Sequence, residues 1–185
     1  WLYASIPNSK SGKYSVKVTY GDQVSTKTGG TYSVNENDCQ PSISSVSYKD
    51  TKSSTVAITG NNQDIVKGQS VVQYTATGLT AQKSASVKSC SVKVNGNTYT
   101  LSLSGTSATG GNATIDSGAN VEAVVSVTDS RGITASKTMT VTMLDLMQPS
   151  AIISLARQHN YYSATDITVD LSLIHISEPT RLGMI

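Results

Sequence analysis

Residues 121–143 read V-E-A-V-V-S-V-T-D-S-R-G-I-T-A-S-K-T-M-T-V-T-M, and this stretch decides the fold. Val121, Ala123, Val125 and Val127 recur at every second position, the period of a strand with one buried face. Asp129-Ser130-Arg131-Gly132 reads as a turn, with Asp able to cap it and Gly able to supply a positive φ. Ile133, Ala135, Met139, Val141 and Met143 then share a face, set against Thr134, Ser136, Thr138, Thr140 and Thr142. The stretch is therefore a long β-hairpin with one apolar side.

The same order of events stands earlier in the chain. Residues 14–20 read Y-S-V-K-V-T-Y, with Tyr14, Val16, Val18 and Tyr20 on one face and Ser15, Lys17 and Thr19 on the other. Gly21-Asp22-Gln23 makes the turn, and a second strand runs toward Tyr32 and Val34. Val24 and Ile133 are 109 residues apart, and Gln40-Pro41-Ser42 recurs 108 residues later as Gln148-Pro149-Ser150. That repeat is about the length of one immunoglobulin-like β-sandwich.

The expected class is all-β: tandem immunoglobulin-like β-sandwich modules, one complete and two partial. Residues 1–40 read as the C-terminal hairpin of a preceding module, 41–148 as the complete sandwich, and 149–170 as the start of a further one. Within 41–148, strands are expected over Ile43–Tyr48, Thr55–Thr59, Val71–Thr77, Ser86–Val94, Thr98–Leu103 and Ala113–Ile115, ahead of the closing hairpin. Asn95-Gly96 is a strong two-residue hairpin signal, and Gly110-Gly111-Asn112 reads as another turn. No window shows a convincing helical period. In the later copy, Ala151–Leu155 and Ile167–Val169 are expected strands, the second matching Val56–Ile58.

Composition agrees. Of 185 residues, 14% are charged, 37% hydrophobic and 5% aromatic, with a formal net charge of +2. Ser, Thr, Val and Gly dominate, which favours strands over helices. So small a charge argues against nucleic-acid binding. The absence of a run of about 18 apolar residues argues against membrane insertion. There is no initiator Met or signal-peptide pattern, so the true N-terminus is expected to lie upstream.

Cys39 and Cys90 permit one disulfide, but Cys90 alternates with Val92 and Val94 and reads as a small core side chain. Tyr14, Tyr20 and Tyr99 fall on apolar faces and are expected in the core.

Residues 171–181 read L-S-L-I-H-I-S-E-P-T-R. This run resembles the in-frame translation of a transposase-type sequencing adapter. Residues 171–185 are accordingly read as a non-native, adapter-derived tail on a metagenomic fragment. His175, Glu178 and Arg181 are set aside with it.

Little chemistry remains. His159 stands in the incomplete last copy, and 41–148 contains no His, so no nucleophile–base set can be assembled there. The chain is read as not an enzyme, without a cofactor. Glu36 and Asp38, in Asn35-Glu36-Asn37-Asp38, are weak calcium candidates, since they offer oxygens at an inter-module junction. That run otherwise reads as a solvated polar linker. Arg131 and Asp129 are the possible loop contact, against the plainer reading of a salt bridge within the turn.

Three runs carry a family likeness: Q-P-S-I-S-S-V-S-Y-K-D at 40–50, T-V-A-I-T-G-N at 55–61, and V-S-V-T-D-S-R-G-I-T-A-S-K at 125–137. The run I-P-N-S-K-S-G at 6–12 fits the segment before the final hairpin of such a domain. Together they resemble a siphophage minor structural or tail protein family with immunoglobulin-like repeats, seen in phages and prophages of streptococci and related Gram-positive bacteria.

The resemblance implies a non-catalytic virion component near the tail tip or baseplate. Its implied partners are other phage tail and baseplate proteins, with host cell-wall glycan or a surface protein as a contact. Two alternatives stay open: a bacterial cell-surface adhesin or stalk of the same repeats, and an accessory module of a virion-borne or secreted glycan hydrolase.

Overall fold

The structure is a computed structural model that describes residues 1–145 throughout and the strands 150–157 and 165–172. It divides into two compact units, Trp1–Leu144 and Asp145–Ile185.

The first unit opens with a 3-10 turn (Leu2–Ser5) and two long strands, β1 (Ser11–Tyr20) and β2 (Gln23–Ser33). These pair antiparallel as a separate two-stranded sheet, with a bulge between Lys13 and Ser15. A short helix α1 (Glu36–Cys39) follows, with the Asn35 side chain accepting from the Asn37 N–H. The expected polar linker is therefore one capped helical turn.

Next come β3 (Ser45–Asp50), α2 (Ser53–Thr59), β4 (Ile65–Val66), β5 (Val72–Thr77) and β6 (Val87–Val94). The unit closes with β7 (Asn97–Ser104), β8 (Ser107–Ala113), β9 (Asn120–Asp129) and β10 (Thr134–Leu144). Strands β3 to β10 form one eight-stranded sheet in the order β3-β5-β8-β7-β6-β9-β10-β4. All neighbours are antiparallel except β10 and β4.

The sheet curls into a sandwich- or barrel-like arrangement. Lys137 of β10 donates to the Ser44 carbonyl, just ahead of β3, at 2.6 Å. Side chains of alternate residues fill the interior, among them Ile65, Val72, Tyr74, Val92, Leu101, Val125, Val127 and Val141, all within 2% of complete burial. Each such side chain contributes about 1.5–3 kcal/mol. The fold is all-β in the main, as the alternation requires.

Asn95 and Gly96 both have positive φ (49° and 79°) and join β6 to β7 as a tight hairpin. Residues 121–143 form β9 and β10 as expected, with Val125 opposite Lys137 and Val121 opposite Val141.

Three expectations are corrected. Thr55–Thr59 is not a strand but the body of α2. Its β-branched residues favour a strand, yet side-chain bonds from outside the window override that preference. Asp50 Oδ1 accepts from the Lys52 N–H at 2.9 Å, and the Thr55 hydroxyl lies between Asp50 Oδ2 and the Lys52 carbonyl. Gly60, at φ 72°, closes the far end by donating to the Val56 carbonyl.

Secondly, Gly110-Gly111-Asn112 is not a turn but lies inside β8, at the bulge opposite Val72–Tyr74. Gly111 has φ 75°, and a Cβ there would lie 3.0 Å from both the Tyr74 ring and Val92. The glycine is needed for close approach. Ala113 ends this strand instead of starting a new one.

Thirdly, Tyr14 and Tyr20 are 46% and 87% exposed. Among the described residues nothing covers the apolar face of the first hairpin.

Both cysteines are buried free thiols, Cys90 in the main core and Cys39 in a smaller cluster. Burial pushes the Cys90 thiol up.

In the second unit, β11 (Ser150–Arg157) pairs antiparallel with β12 (Thr165–Ser172). Ile167–Val169 is thus a strand, while Val56–Ile58, its expected counterpart, is helical. His159, His175, Glu178 and Arg181 lie outside the described residues. Of the supposed tail, only Leu171 and Ser172 are described, as the end of β12.

Candidate functional site

Two buried polar clusters hold the first unit together. Asp50 organises the first. Its Oδ1 accepts from the Lys52 and Val71 N–H groups at 2.9 and 3.1 Å, and its Oδ2 from the Ser70 hydroxyl at 2.6 Å and from Thr55. Ser70 in turn accepts from the Val66 N–H at 2.7 Å. Burial works against ionising Asp50, but the bonds from Ser70, Thr55, Lys52 and Val71 outweigh it and hold the carboxyl below its ordinary range.

The second cluster is the turn between β9 and β10. Asp129 Oδ1 accepts from the Arg131 and Ile133 N–H groups at 2.9 and 2.8 Å, fixing the turn from inside. That local bond pattern is what an Asp at the first turn position does. It sends the Arg131 side chain inward, and the side chains of both residues are fully buried. Arg131 Nη1 and Asp129 Oδ2 are 3.5 Å apart, an ion pair beyond good hydrogen-bond geometry, and Oδ2 has no hydrogen-bond partner.

The guanidinium spends its donors on backbone carbonyls. Nε donates to Ile6 at 3.2 Å, Nη1 to Gln82 at 2.9 Å, and Nη2 to Tyr3 at 2.8 Å and to Lys83. Ser130 adds a bond from its hydroxyl to the Pro7 carbonyl at 2.6 Å. The planar fork of Arg suits this task, since it presents several donors in fixed directions. Lys83 and Ser84 have positive φ (52° and 65°), which is costly for side chains with a Cβ. That loop supplies two of the four carbonyls bound to Arg131.

An apolar contact lies beside the clamp. Ile133, Val34 and Cys39 are buried together, with Tyr3 and Ile6 packed against them. The turn therefore grips the segment before β1, the segment after β2 and the Gln82–Ser86 loop. It is a joint between the first hairpin and the eight-stranded sheet.

Asp129 and Arg131, singled out from the sequence as a possible loop contact, have their side chains buried in the turn and paired at 3.5 Å. Glu36 pairs with Lys10 at 2.6 Å on the surface, and Asp38 is exposed. Among the described residues no group of three or more His, Cys, Asp or Glu side chains could hold a metal ion. Sequence reasoning missed Asp50, Thr55 and Ser70. Their partnership joins positions up to 20 apart.

Among the described residues Tyr74 is the one fully buried phenol. Burial, with Tyr99 and Tyr48 nearby, pushes it up to about 12, far above the range useful for proton transfer at neutral pH. Among the described residues no helix is long and apolar enough to cross a membrane.

No curated protein and no solved structure matches the chain. A family described as "Siphovirus protein of unknown function (DUF859)" matches residues 2–177, nearly the whole length. The chain belongs to this siphovirus protein family.

Proposed function

We propose that the chain is a non-catalytic structural part of the phage tail, a spacer associated with the tail tip or baseplate. Its partners on this reading are other tail proteins, with the host cell surface as a contact. Membership of a siphovirus family makes a virion component the natural setting.

The observation that carries the spacer reading is the Arg131 clamp. The fully buried guanidinium is committed to carbonyls of two other segments, so its chemistry goes into rigidity. On this reading residues 1–40 are the closing hairpin of a preceding immunoglobulin-like module, and 41–148 are the module it is locked to. On the same reading residues 171–185 are adapter-derived, although the family match runs on to residue 177, and resequencing the source DNA across codon 171 tests this.

Mass spectrometry of purified virions, separated into tails and heads, tests the placement. Peptides spanning 41–144 are expected with the tails. Their recovery only from host cell wall or culture medium without virions overturns the proposal.

A further inference from the structure

The uncovered face of the first hairpin has a counterpart elsewhere in the chain whose covering is visible. Strands β1 and β9 are each 10 residues long, and β2 and β10 are each 11. Ser11 pairs with Ser33 and Asn120 with Thr142, a shift of 109 residues in both strands, whereas beyond the bulge at Lys13/Ser15 the first hairpin's register is one residue tighter, with Val16 opposite Lys27 and Val125 opposite Lys137. Under that shift Tyr14, Val16 and Val18 fall on Ala123, Val125 and Val127.

Their environments are opposite. Ala123, Val125 and Val127 are wholly buried, whereas Tyr14, Val16 and Val18 are 46%, 52% and 60% exposed. Strand edges differ in the same way. β9 has β6 on its outer side, through Cys90 opposite Val127 and Val92 opposite Val125. β1 has β2 alone. A long strand with a free edge and a free apolar face is a template for pairing, and a two-stranded hairpin is marginal without cover.

We infer that the Tyr14–Val16–Val18–Tyr20 face and the free edge of β1 form a docking surface for the polypeptide encoded immediately before Trp1. That segment covers the face as residues 43–115 cover β9. It places an antiparallel strand of alternating aliphatic residues where β6 stands beside β9. The inference rests on the reading of residues 1–40 as a closing hairpin.

The arginine clamp is not among the features the two hairpins share. Gly21-Asp22 stands in place of the Ser130-Arg131 turn, so the buried arginine is not repeated there. What β1 shares with β9 is the strand face and the edge.

Hydrogen exchange of the 185-residue chain, compared with the same chain extended upstream by its natural coding sequence, tests this. In the extended chain the amides of residues 14–20 are expected to slow at least ~100-fold, toward those of residues 121–127. The paired change Val16→Asp and Val18→Asp is expected to restore fast exchange in residues 14–20 and leave 121–127 protected.

Equal exchange of residues 14–20 with and without the extension overturns the inference. So does protection that appears in the 185-residue chain only as its concentration rises, since a second copy is then the occupant. Neither outcome bears on whether the protein is found in phage tails.

Discussion

Arg131 donates from Nη2 to the carbonyl of Tyr3, 128 positions earlier in the chain, at 2.8 Å. One residue of a tight turn thus anchors the segment that leads into a different hairpin. The pair turns the Asp-Ser-Arg-Gly sequence from a local corner into a joint.

Removing that side chain should be costly. Arg131→Ala leaves the Asp129 carboxylate buried without its cation and takes the shared donors away from four carbonyls. The expected loss is about 3–5 kcal/mol, read as a lower urea midpoint. Arg131→Lys should recover less than half of it, because an ammonium cannot reproduce the fork.

Asp50 should make the fold acid-labile. Its carboxyl lies below the ordinary range in the folded state, so its contribution is complete above the unfolded value of about 3.9. It is lost as pH falls through the lower folded value. Urea midpoints measured from neutral to acid pH should therefore fall, and Asp50→Asn should flatten that fall. The variant should also be less stable at neutral pH by about 1–3 kcal/mol, since hydroxyl and N–H donors then face an amide.

Much of this architecture is legible in local sequence, and the reason is physical. The β9–β10 hairpin and the Asn95-Gly96 turn depend on alternation and positive φ within a few residues of each other. The helix over Ser53–Thr59 is hidden because its determinant, Asp50, is itself held by Ser70 and the Val71 N–H, 20 and 21 positions on. Gly110-Gly111 resembles a turn because the need for a glycine beside Tyr74 shows only after β5 and β8 pair. For Arg131, the bond to its neighbour Asp129 is readable, whereas its carbonyl partners lie 48 to 128 residues away.

Two glycines should separate these requirements. Gly96→Ala meets nothing within 4 Å and should cost only the positive-φ penalty, about 1–2 kcal/mol. Gly111→Ala carries that penalty and also drives a methyl against Tyr74 and Val92, adding about 1–3 kcal/mol. Thermal melts of the two variants should rank accordingly, with Gly111→Ala the lower.

Arg131 locks the first hairpin to the eight-stranded sheet, and the two cysteines report on that lock separately. Cys39 is buried in the joint and Cys90 in the main core. Under native conditions both thiols should react slowly with a reagent such as dithionitrobenzoate. In Arg131→Ala, Cys39 labelling should accelerate at least ~10-fold more than Cys90 labelling, because the joint opens before the core does. Cys39 labelling as slow as in the parent protein, or equal acceleration of both thiols, would contradict the account.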